Sequence, residues 1–169
     1  MTVILRSLTT ADLPRIIELN DAAYPAVPIT TRAEMSALLG RAGFSFAAVD
    51  ESGAVVGFII GMLPGSDYDS ENYRFFESRG VDSLYLDRIV VDEAMRGQRI
   101  GRLCYAAVFD LARRQGRAEV TCEVNLDPPN PGSLRFHERL GFRQVGQQQT
   151  KGGSVTVALL AAKVDERRE

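Results

Sequence analysis

The sequence is poor in the residues that build disulfides and metal sites. Its 169 residues include two cysteines, Cys104 and Cys122, a single histidine, His137, and no tryptophan. Two cysteines are too few for a disulfide framework or a cysteine-rich metal cluster, so both are predicted to be reduced side chains of the core. No metal site is expected.

Long apolar runs and an excess of one charge are also absent. The longest apolar stretch, Ala54–Leu63, is too short to cross a bilayer, and the first residues lack the apolar core of a signal peptide. Lys and Arg number 20 against 22 Asp and Glu, a formal net charge of -2, which provides no basic field for nucleic acid or an anionic membrane. We therefore expect a cytoplasmic protein with a small partner, and neither nucleic acid nor membrane as a ligand.

The hydrophobic content is enough for one folded domain. Hydrophobic residues make up 45% of the chain, which can build a core at this length, and no repeat or linker interrupts it. A single domain over residues 1–169 is expected.

The first half of the chain predicts a strand, two helices and a hairpin. Thr10 is predicted to cap the first helix and Gly40 to stop the second. The predicted elements are a strand Val3–Arg6, a helix from Thr10 to Tyr24-Pro25, a helix from Thr31 with Met35, Leu38 and Leu39 as its apolar stripe, and strands Phe44–Val49 and Val55–Met62 around a turn at 50–53. The segment Pro64–Gly80 is expected to be a long irregular connection, either a wall of a binding site or a surface loop whose aromatics pack on the core.

The second half predicts strands that alternate with helices. A strand at Leu84–Val91 leads through a turn at Gly97 into a helix that Gly116 closes, an order that requires a crossover and locally parallel strands. The apolar stripe of that helix is predicted at Ile100, Leu103, Cys104, Ala107, Val108 and Leu111. The remaining predictions are a strand Ala118–Val124, a rigid loop Pro128–Pro131, a helix Ser133–Leu140, hairpin strands Phe142–Gln149 and Ser154–Ala162, and a frayed tail from Lys163.

The stretch Asp87–Arg102 is a candidate anion site. A strand that enters a glycine-containing turn and then a helix leaves the amides of the first turn without helical partners, and the helix dipole favours a negative ligand there. Glycines before helices are common, so this signal is weak by itself.

A second segment makes the pattern specific. Arg96 and Gly101 match the first and last positions of an (Arg/Gln)-x-x-Gly-x-(Gly/Ala) loop, and the downstream segment matches a second pattern at Asn130, Ser133, Phe136 and Leu140-Gly141-Phe142. Together they resemble the GNAT superfamily of N-acetyltransferases. The specific motifs cover residues 84–142, and the first half is less diagnostic.

The resemblance implies a fold and a reaction. The fold is α/β (α+β), a central mixed, mostly antiparallel sheet of about seven strands with a splayed parallel pair and about four flanking helices. The reaction is transfer of an acetyl group from acetyl-CoA to a primary amine of a small molecule, amino acid or protein, by direct attack within a ternary complex. No metal is implied, and a homodimer is left open.

The same resemblance assigns the cofactor-binding residues. The strand would pair with the pantetheine arm and offer a backbone amide near Val90 or Val91 to the oxyanion, and the loop would bind the pyrophosphate. The implied cofactor residues are Ile89, Val90, Val91, Arg96, Gly97, Gln98, Arg99, Ile100, Gly101, Arg102, Asn130, Ser133 and Phe136.

Two residues depart from the family pattern. Arg99 stands where the family has a glycine. We expect the backbone of Arg99 to be helical and unstrained. Its guanidinium would either bind the pyrophosphate or point into solvent. His137 stands where the family commonly has a tyrosine that protonates the departing thiolate. It could donate that proton as imidazolium, hydrogen-bond the sulfur, or be structural.

The remaining candidates concern the acceptor amine. Asp87 is the first candidate for the group that removes its proton and Glu123 the second, although either could instead pair with Arg88 or Arg135. The candidate walls of the acceptor site are Tyr24, Tyr68, Tyr73 and Tyr85, and a cationic acceptor is weakly favoured by Asp67, Asp69, Glu71 and Glu77.

Two further readings remain open. The chain could bind CoA or acyl-CoA without transferring the acyl group, or its loop could hold another phosphorylated ligand.

Overall fold

A computed structural model describes residues 2–165. Over that range the chain has seven strands and five α-helices, one helix more than the predicted four. In chain order they are β1 (Ile4–Ser7), α1 (Leu13–Ala22), α2 (Arg32–Arg41), β2 (Phe44–Val49), β3 (Val55–Met62), α3 (Glu71–Ser78), β4 (Ser83–Val91), α4 (Ile100–Arg114), β5 (Glu119–Asp127), α5 (Pro131–Arg139), β6 (Arg143–Thr150) and β7 (Val155–Lys163). None of the helices within these residues is long and apolar enough to span a membrane.

The strands form one mixed sheet in the order β1-β2-β3-β4-β5-β7-β6. The pairs β1–β2, β2–β3, β5–β7 and β6–β7 are antiparallel, and β4 pairs with β5 in parallel, with Ser83–Tyr85 opposite Glu119–Thr121. The predicted mixed, mostly antiparallel sheet with a parallel pair is therefore confirmed. The chain divides into two compact units: the first comprises the residues up to Leu63 and Leu86–Val108, and the second comprises Pro64–Tyr85 and the residues from Phe109.

The first helix of the first unit begins differently from the prediction. A short 3-10 turn precedes α1, and its N-cap is Thr9, whose amide donates to the Asp12 carboxylate at 2.9 Å. Asp12 also accepts two hydrogen bonds from Arg6, at 2.8 and 2.9 Å, and this guanidinium holds the pKa of the Asp12 carboxyl below its usual range. Thr10 is therefore not the cap, because Thr9 and Asp12 already close the turn.

The helix α2 passes through the glycine that was predicted to end it. Thr31 caps it and forms a capping box with Glu34, as the sequence suggests, but Gly40 lies inside the last turn. The helix ends because Gly43 pairs with β3. The amide of Gly43 donates to the carbonyl of Gly61 at 2.9 Å, and a Cβ atom at position 43 would lie 2.3 Å from Cγ of Leu63. The strands β2 and β3 match their predicted bounds, and β3 is buried throughout.

In the second unit, the segment predicted to be an irregular connection contains α3. Ser70 caps this helix by accepting from the amide of Tyr73, and Tyr73 and Phe76 are buried on one face. On the same unit, the ring of Phe75 lies where a Cβ on Gly146 would be, and Gln148 donates to Asn72 at 2.7 Å. The cap and the i, i+3 aromatic pair are visible in the sequence, but the preceding Pro-Gly pair favours a loop over the whole segment.

The helix α4 buries a face rotated from the predicted stripe. Leu103 is 38% exposed, whereas Tyr105 and Ala112, which the stripe omits, are buried beside the predicted Cys104 and Val108. Both cysteines are buried thiols that take part in no disulfide within the described residues, and burial raises the pKa of the Cys104 thiol to about 12.

The bounds of the C-terminal elements differ from the prediction: α5 is one residue longer, and β6 and β7 are shifted by one residue. The helix α5 begins at Pro131 because proline suits the first helical position, where no amide donor is needed. The prediction of a frayed tail is wrong for the residues up to Asp165: Lys163 belongs to β7, Val164 donates to Ala118, and Arg113 donates to the Asp165 carbonyl. The rest of that tail, 166–169, lies outside the described residues.

Candidate functional site

The end of β4 approaches the backbone of β3 closely. A Cβ built on Gly57 of β3 would lie 2.9 Å from the carbonyl oxygen of Val90 and 3.6 Å from the Cα atom of Val91. A side chain at position 57 would therefore collide with the end of β4. Glycine is needed at position 57 for this approach, and a glycine within an apolar strand is the sequence signal for it.

The chain after β4 is fixed by Asp92. Its amide donates to the Val56 carbonyl at 2.8 Å, and its carboxylate accepts from the amide of Ala94 and from the guanidinium of Arg15, the latter at 2.8 Å. Arg15 also donates to the Val55 carbonyl at 3.0 Å. These contacts within the first unit fix the start of the loop that leads to α4.

The loop from Arg96 to Arg99 is exposed and has two left-handed residues. Gly97 has φ of 82° and Arg99 has φ of 61°, and the Arg99 carbonyl accepts from Leu103 at 3.1 Å, so Arg99 is the N-cap of α4. The prediction that Arg99 has helical backbone is therefore wrong. A non-glycine residue in this region costs about 1–2 kcal/mol.

The start of α4 presents amide donors. The amides of Ile100, Gly101 and Arg102 are in the first turn of a fifteen-residue helix and have no intrahelical acceptor. The side chain of Ile100 is buried, so this residue can contribute only its backbone. Arg96 lies 3.8 Å from Glu93, a loose contact between two exposed side chains that leaves the guanidinium accessible.

In the second unit, α5 holds the residues of the second motif. Asn130 is its N-cap residue, and Asn130, Ser133 and Phe136 are all half-buried. His137 is buried, with its ring edge-on to Phe136 at 5.4 Å and to Phe142 at 5.3 Å between centroids. Phe142, which follows α5 in the chain, thus packs against the imidazole ring of His137.

His137 is held in one tautomer. Its Nδ1 lies 2.7 Å from the Ser133 carbonyl oxygen, which can only accept, so Nδ1 carries the proton and donates. Burial lowers the pKa of His137, only partly opposed by this hydrogen bond. The imidazolium form expected from the sequence is therefore disfavoured near neutral pH, and Nε2 of the neutral ring carries no proton.

The two candidate bases have different partners. The Asp87 side chain is 6% exposed and accepts from Nε of Arg88 at 3.2 Å, which is one of the two pairings anticipated for it. Glu123 is half-buried, and it accepts from the hydroxyl of Tyr85, which lies 2.7 and 2.9 Å from its two carboxylate oxygens.

The four candidate tyrosines divide into two kinds. Tyr24 is 62% exposed and Tyr68 is half-buried, but Tyr73 and Tyr85 are buried, with their rings 5.4 Å apart. The hydroxyl of Tyr73 accepts from the amide of Ser66 at 2.9 Å. Tyr73 and Tyr85 belong to the core of the second unit, where their rings meet at an interplanar angle of 58°. Their role as walls of the acceptor site stays a prediction.

Acidic residues expected near the entrance have partners within the second unit. Glu77 accepts from the amide of Gly65 at 2.9 Å, Glu71 accepts from the amide of Lys151 at 3.2 Å, and Asp69 pairs with Arg74. These contacts give the carboxylates a role in the local structure, and the cationic acceptor stays a prediction.

Comparison with known proteins decides the family. The profile of the Acetyltransferase (GNAT) family matches residues 13–142. The chain belongs to this family. An acetyltransferase of Agrobacterium fabrum is 36% identical over 75 residues, which cover 43% of this chain and 52% of the relative, so the match spans about half of the relative's length.

Solved structures share the fold of this GNAT protein. Ard1 from Thermoplasma volcanium is 20% identical with a TM-score of 0.78, covering 98% of this chain and 100% of the other. A phosphinothricin acetyltransferase from Sinorhizobium meliloti, in complex with acetyl-CoA, is 23% identical with a TM-score of 0.72, covering 98% and 90%. At these identities the likeness establishes the fold.

Proposed function

We propose that the chain is a single-domain N-acetyltransferase that transfers an acetyl group from acetyl-CoA to a primary amine. The observation that carries the proposal is the backbone from Val90 to Arg102, where a strand end that approaches Gly57 closely is followed by a left-handed turn and a helix start. Acetyl-CoA is present in the related Sinorhizobium meliloti structure. The residues of this chain fit such a ligand, because they offer backbone donors and arginines to its phosphates.

The start of α4 would hold the pyrophosphate. The first-turn amides of Ile100, Gly101 and Arg102 donate, and the helix dipole adds a favourable potential for an anion. The exposed side chains of Arg96 and Arg99 supply charge-assisted hydrogen bonds. The backbone of Gly97 and Gln98 would complete the turn around the phosphate oxygens.

The end of β4 would hold the acyl end. Ile89, Val90 and Val91 offer backbone groups to the amide-bearing pantetheine arm. We assign the N–H of Val91 the role of donor to the carbonyl oxygen of the acetyl group, where negative charge develops during attack. Acetyl-CoA would supply the activated thioester, and this chain would supply the fixed dipole.

A carboxylate would take the proton of the amine. We place Glu123 first and Asp87 second, the reverse of the sequence-based order. Asp87 is held by Arg88 and its side chain is 6% exposed, whereas Glu123 is half-buried and accepts from the neutral hydroxyl of Tyr85. A general base must reach the substrate, directly or through one water.

The half-buried residues of α5 are further proposed contacts of the cofactor. Asn130, Ser133 and Phe136 are half-buried and offer polar and aromatic contacts. We assign His137 a positioning role, because the neutral ring donates to Ser133 and has no proton on Nε2 to give to a thiolate. Proton donation by His137 stays the alternative.

Release of CoA thiol in the presence of an amine tests the proposal. The purified chain is incubated with acetyl-CoA and single amines, thiol is followed with a chromogenic disulfide, and binding is measured by calorimetry. Amine-dependent release is expected. Binding of CoA without amine-dependent release would favour the non-catalytic module, and absence of CoA binding would favour another phosphorylated ligand.

A further inference from the structure

The segment that joins β4 to α4 buries little of its own surface. We call residues 92–99 the β4–α4 loop. From Glu93 to Arg99 only Met95 is buried, and the other six residues are exposed. Segments with little buried apolar surface open at a low cost in free energy unless polar contacts anchor them. The anchors of this loop therefore determine how well its backbone is prepared for a ligand.

One anchor is the carboxylate of Asp92, at the start of the loop. Its Oδ1 accepts from the amide of Ala94 at 3.0 Å and so caps the short 3-10 turn Glu93–Met95. Its Oδ2 accepts from Nη2 of Arg15 at 2.8 Å. The side chains of Asp92 and Arg15 are 27% and 35% exposed, so the pair is partly shielded from solvent. One carboxylate oxygen thus shapes the turn, and the other fixes the turn to Arg15.

Arg15 connects this turn to the sheet. It lies on α1, and its Nε donates to the carbonyl of Val55, the first residue of β3, at 3.0 Å. One guanidinium therefore bridges a carbonyl of β3 and the carboxylate of the loop. A planar fork of donors can hold two such acceptors at once, which the single ammonium of a lysine does poorly.

The third contact of Arg15 is weak. Its Nη1 lies 2.9 Å from Glu18, one turn further along α1, but the Glu18 side chain is 70% exposed. Exposed pairs at this spacing contribute little because solvent screens them. The contact that fixes the loop is therefore the one between Arg15 and Asp92, and Glu18 offers a matched control on the same guanidinium.

We propose that Arg15 is a positioning residue for the cofactor: through Asp92 it holds the β4–α4 loop in the conformation that binds the pyrophosphate of acetyl-CoA. The inference rests on the proposed function. Without Arg15 the loop would have to be ordered when the ligand binds, which lowers the affinity. The amide of Asp92 still donates to the carbonyl of Val56, so the end of β4 keeps its place in the sheet. Loss of Arg15 should therefore weaken cofactor binding and spare the chemical step.

Hydrogen exchange of the free chain tests the anchor without any ligand. The amides of Ala94, Met95 and Arg96 are hydrogen-bonded within the turn, so their exchange reports its opening. In Arg15→Met these three should exchange about 10-fold faster than in wild type, while the amides of β2 and β3 keep their rates. Glu18→Gln should match wild type. Equal exchange of the three amides, or an equally faster exchange in β2 and β3, would overturn a role confined to the loop.

Calorimetry with CoA tests the effect on the ligand. Arg15→Met is expected to raise the Kd of CoA by about 10-fold, the scale of one hydrogen bond between charged groups, and Arg15→Lys to recover part of the loss. Arg117→Met controls for removal of an ion-paired arginine, since Arg117 pairs with Asp82 at 2.8 Å away from this loop. An equal loss of affinity in Arg117→Met would contradict the inference.

A double variant tests whether Arg15 acts through Asp92. Asp92→Asn keeps an oxygen for the Ala94 amide but removes the charge that Arg15 binds. It should raise the Kd of CoA to a similar extent as Arg15→Met. The double variant should bind no more weakly than either single one, because both changes remove the same contact. Additive losses would show that the two residues act independently and would overturn the inference.

Steady-state kinetics separate positioning from a general loss of structure. Arg15→Met should raise KM for acetyl-CoA, with kcat and KM for the amine within about two-fold of wild type. A lower kcat at saturating acetyl-CoA would overturn the inference. If wild type binds no CoA, the proposed function fails and the inference fails with it. If wild type binds CoA and the Arg15 variants bind it equally well, only the inference fails.

Discussion

The carbonyl oxygen of Val90 lies 2.9 Å from the point where a Cβ atom on Gly57 would be. Real Cβ atoms do not approach a backbone oxygen so closely, so any other residue at position 57 must push β4 away. The position of the Val90 carbonyl, and with it the end of β4 that carries the Val91 amide, thus depends on a missing side chain on the neighbouring strand.

Replacement of this glycine should therefore impair both folding and chemistry. Gly57→Ala is expected to destabilise the fold by about 1–3 kcal/mol through overpacking and to lower kcat more than it changes the Kd of CoA. Urea unfolding and steady-state kinetics measure the two effects. Gly40→Ala is the control, because nothing lies within 4 Å of a Cβ there and a helix interior favours alanine. Unchanged kcat in Gly57→Ala would contradict the role given to the Val91 amide.

Two substitutions of Arg99 separate its charge from its backbone. Arg99→Ala and Arg99→Gly both remove the guanidinium, and both should weaken CoA binding by about 1 kcal/mol, roughly 5-fold in Kd, with a reduced dependence on salt. Only Arg99→Gly also relieves the left-handed strain, so it should unfold at a higher denaturant concentration than Arg99→Ala.

The control for the backbone effect is Lys151→Gly. Lys151 has φ of 53° in the connection between β6 and β7, so glycine there should relieve strain without changing CoA affinity. Wild-type affinity in both Arg99 variants, at low and at moderate salt, would show that the guanidinium points into solvent.

The single histidine gives a pH-dependent stability signature. Burial lowers the pKa of His137 in the folded chain below the ordinary value of 6.5. Below about pH 6.5 the unfolded chain therefore binds more protons than the folded chain, so the free energy of unfolding should decrease as the pH is lowered through that range. His137→Phe should lack this component. Unfolding free energies of both proteins at pH 7.5 and 5.5 test it, and equal pH dependence would show that His137 is not buried as a neutral ring.

The carboxylates can be separated by their isosteric amides. Glu123→Gln should lower kcat by about 100-fold, the usual contribution of a general base, and remove the acidic limb of the pH–rate profile. Asp87→Asn should lower kcat less than Glu123→Gln does, because Arg88 already holds the Asp87 carboxylate. Tyr85→Phe is the control for loss of the Glu123 hydrogen bond. If Asp87→Asn lowers kcat more than Glu123→Gln does, Asp87 and not Glu123 is the first candidate for the general base.

Local patterns predicted much of the fold but little of the backbone detail. The strands β2 and β3 have their predicted bounds, because apolar runs around a polar glycine turn determine a hairpin locally. The helix α3 was missed because a loop-forming dipeptide precedes a short helix that tertiary packing stabilises. The left-handed backbone at Arg99 follows from closure of the loop on α4, not from any preference of arginine.

The same limit applies to the candidate site. The motif residues could be located from their spacing. The protonation state of His137 could not, because it depends on burial of the ring against Phe142. The hydrogen bond from Arg88 to Asn20 could not be predicted either, because it depends on the approach of α1 to β4. Asn20 gave no local signal in the sequence. Gly57 did give one, since glycine in an apolar strand indicates a close backbone approach.

The most direct test of the proposed reaction is mass spectrometry of an amine after incubation with acetyl-CoA carrying an isotopically labelled acetyl group. We expect labelled N-acetyl amine with the wild-type chain, a clear loss of product with Gly57→Ala, and full product with Gly40→Ala. Tight binding of CoA with no labelled amine in any reaction would contradict it.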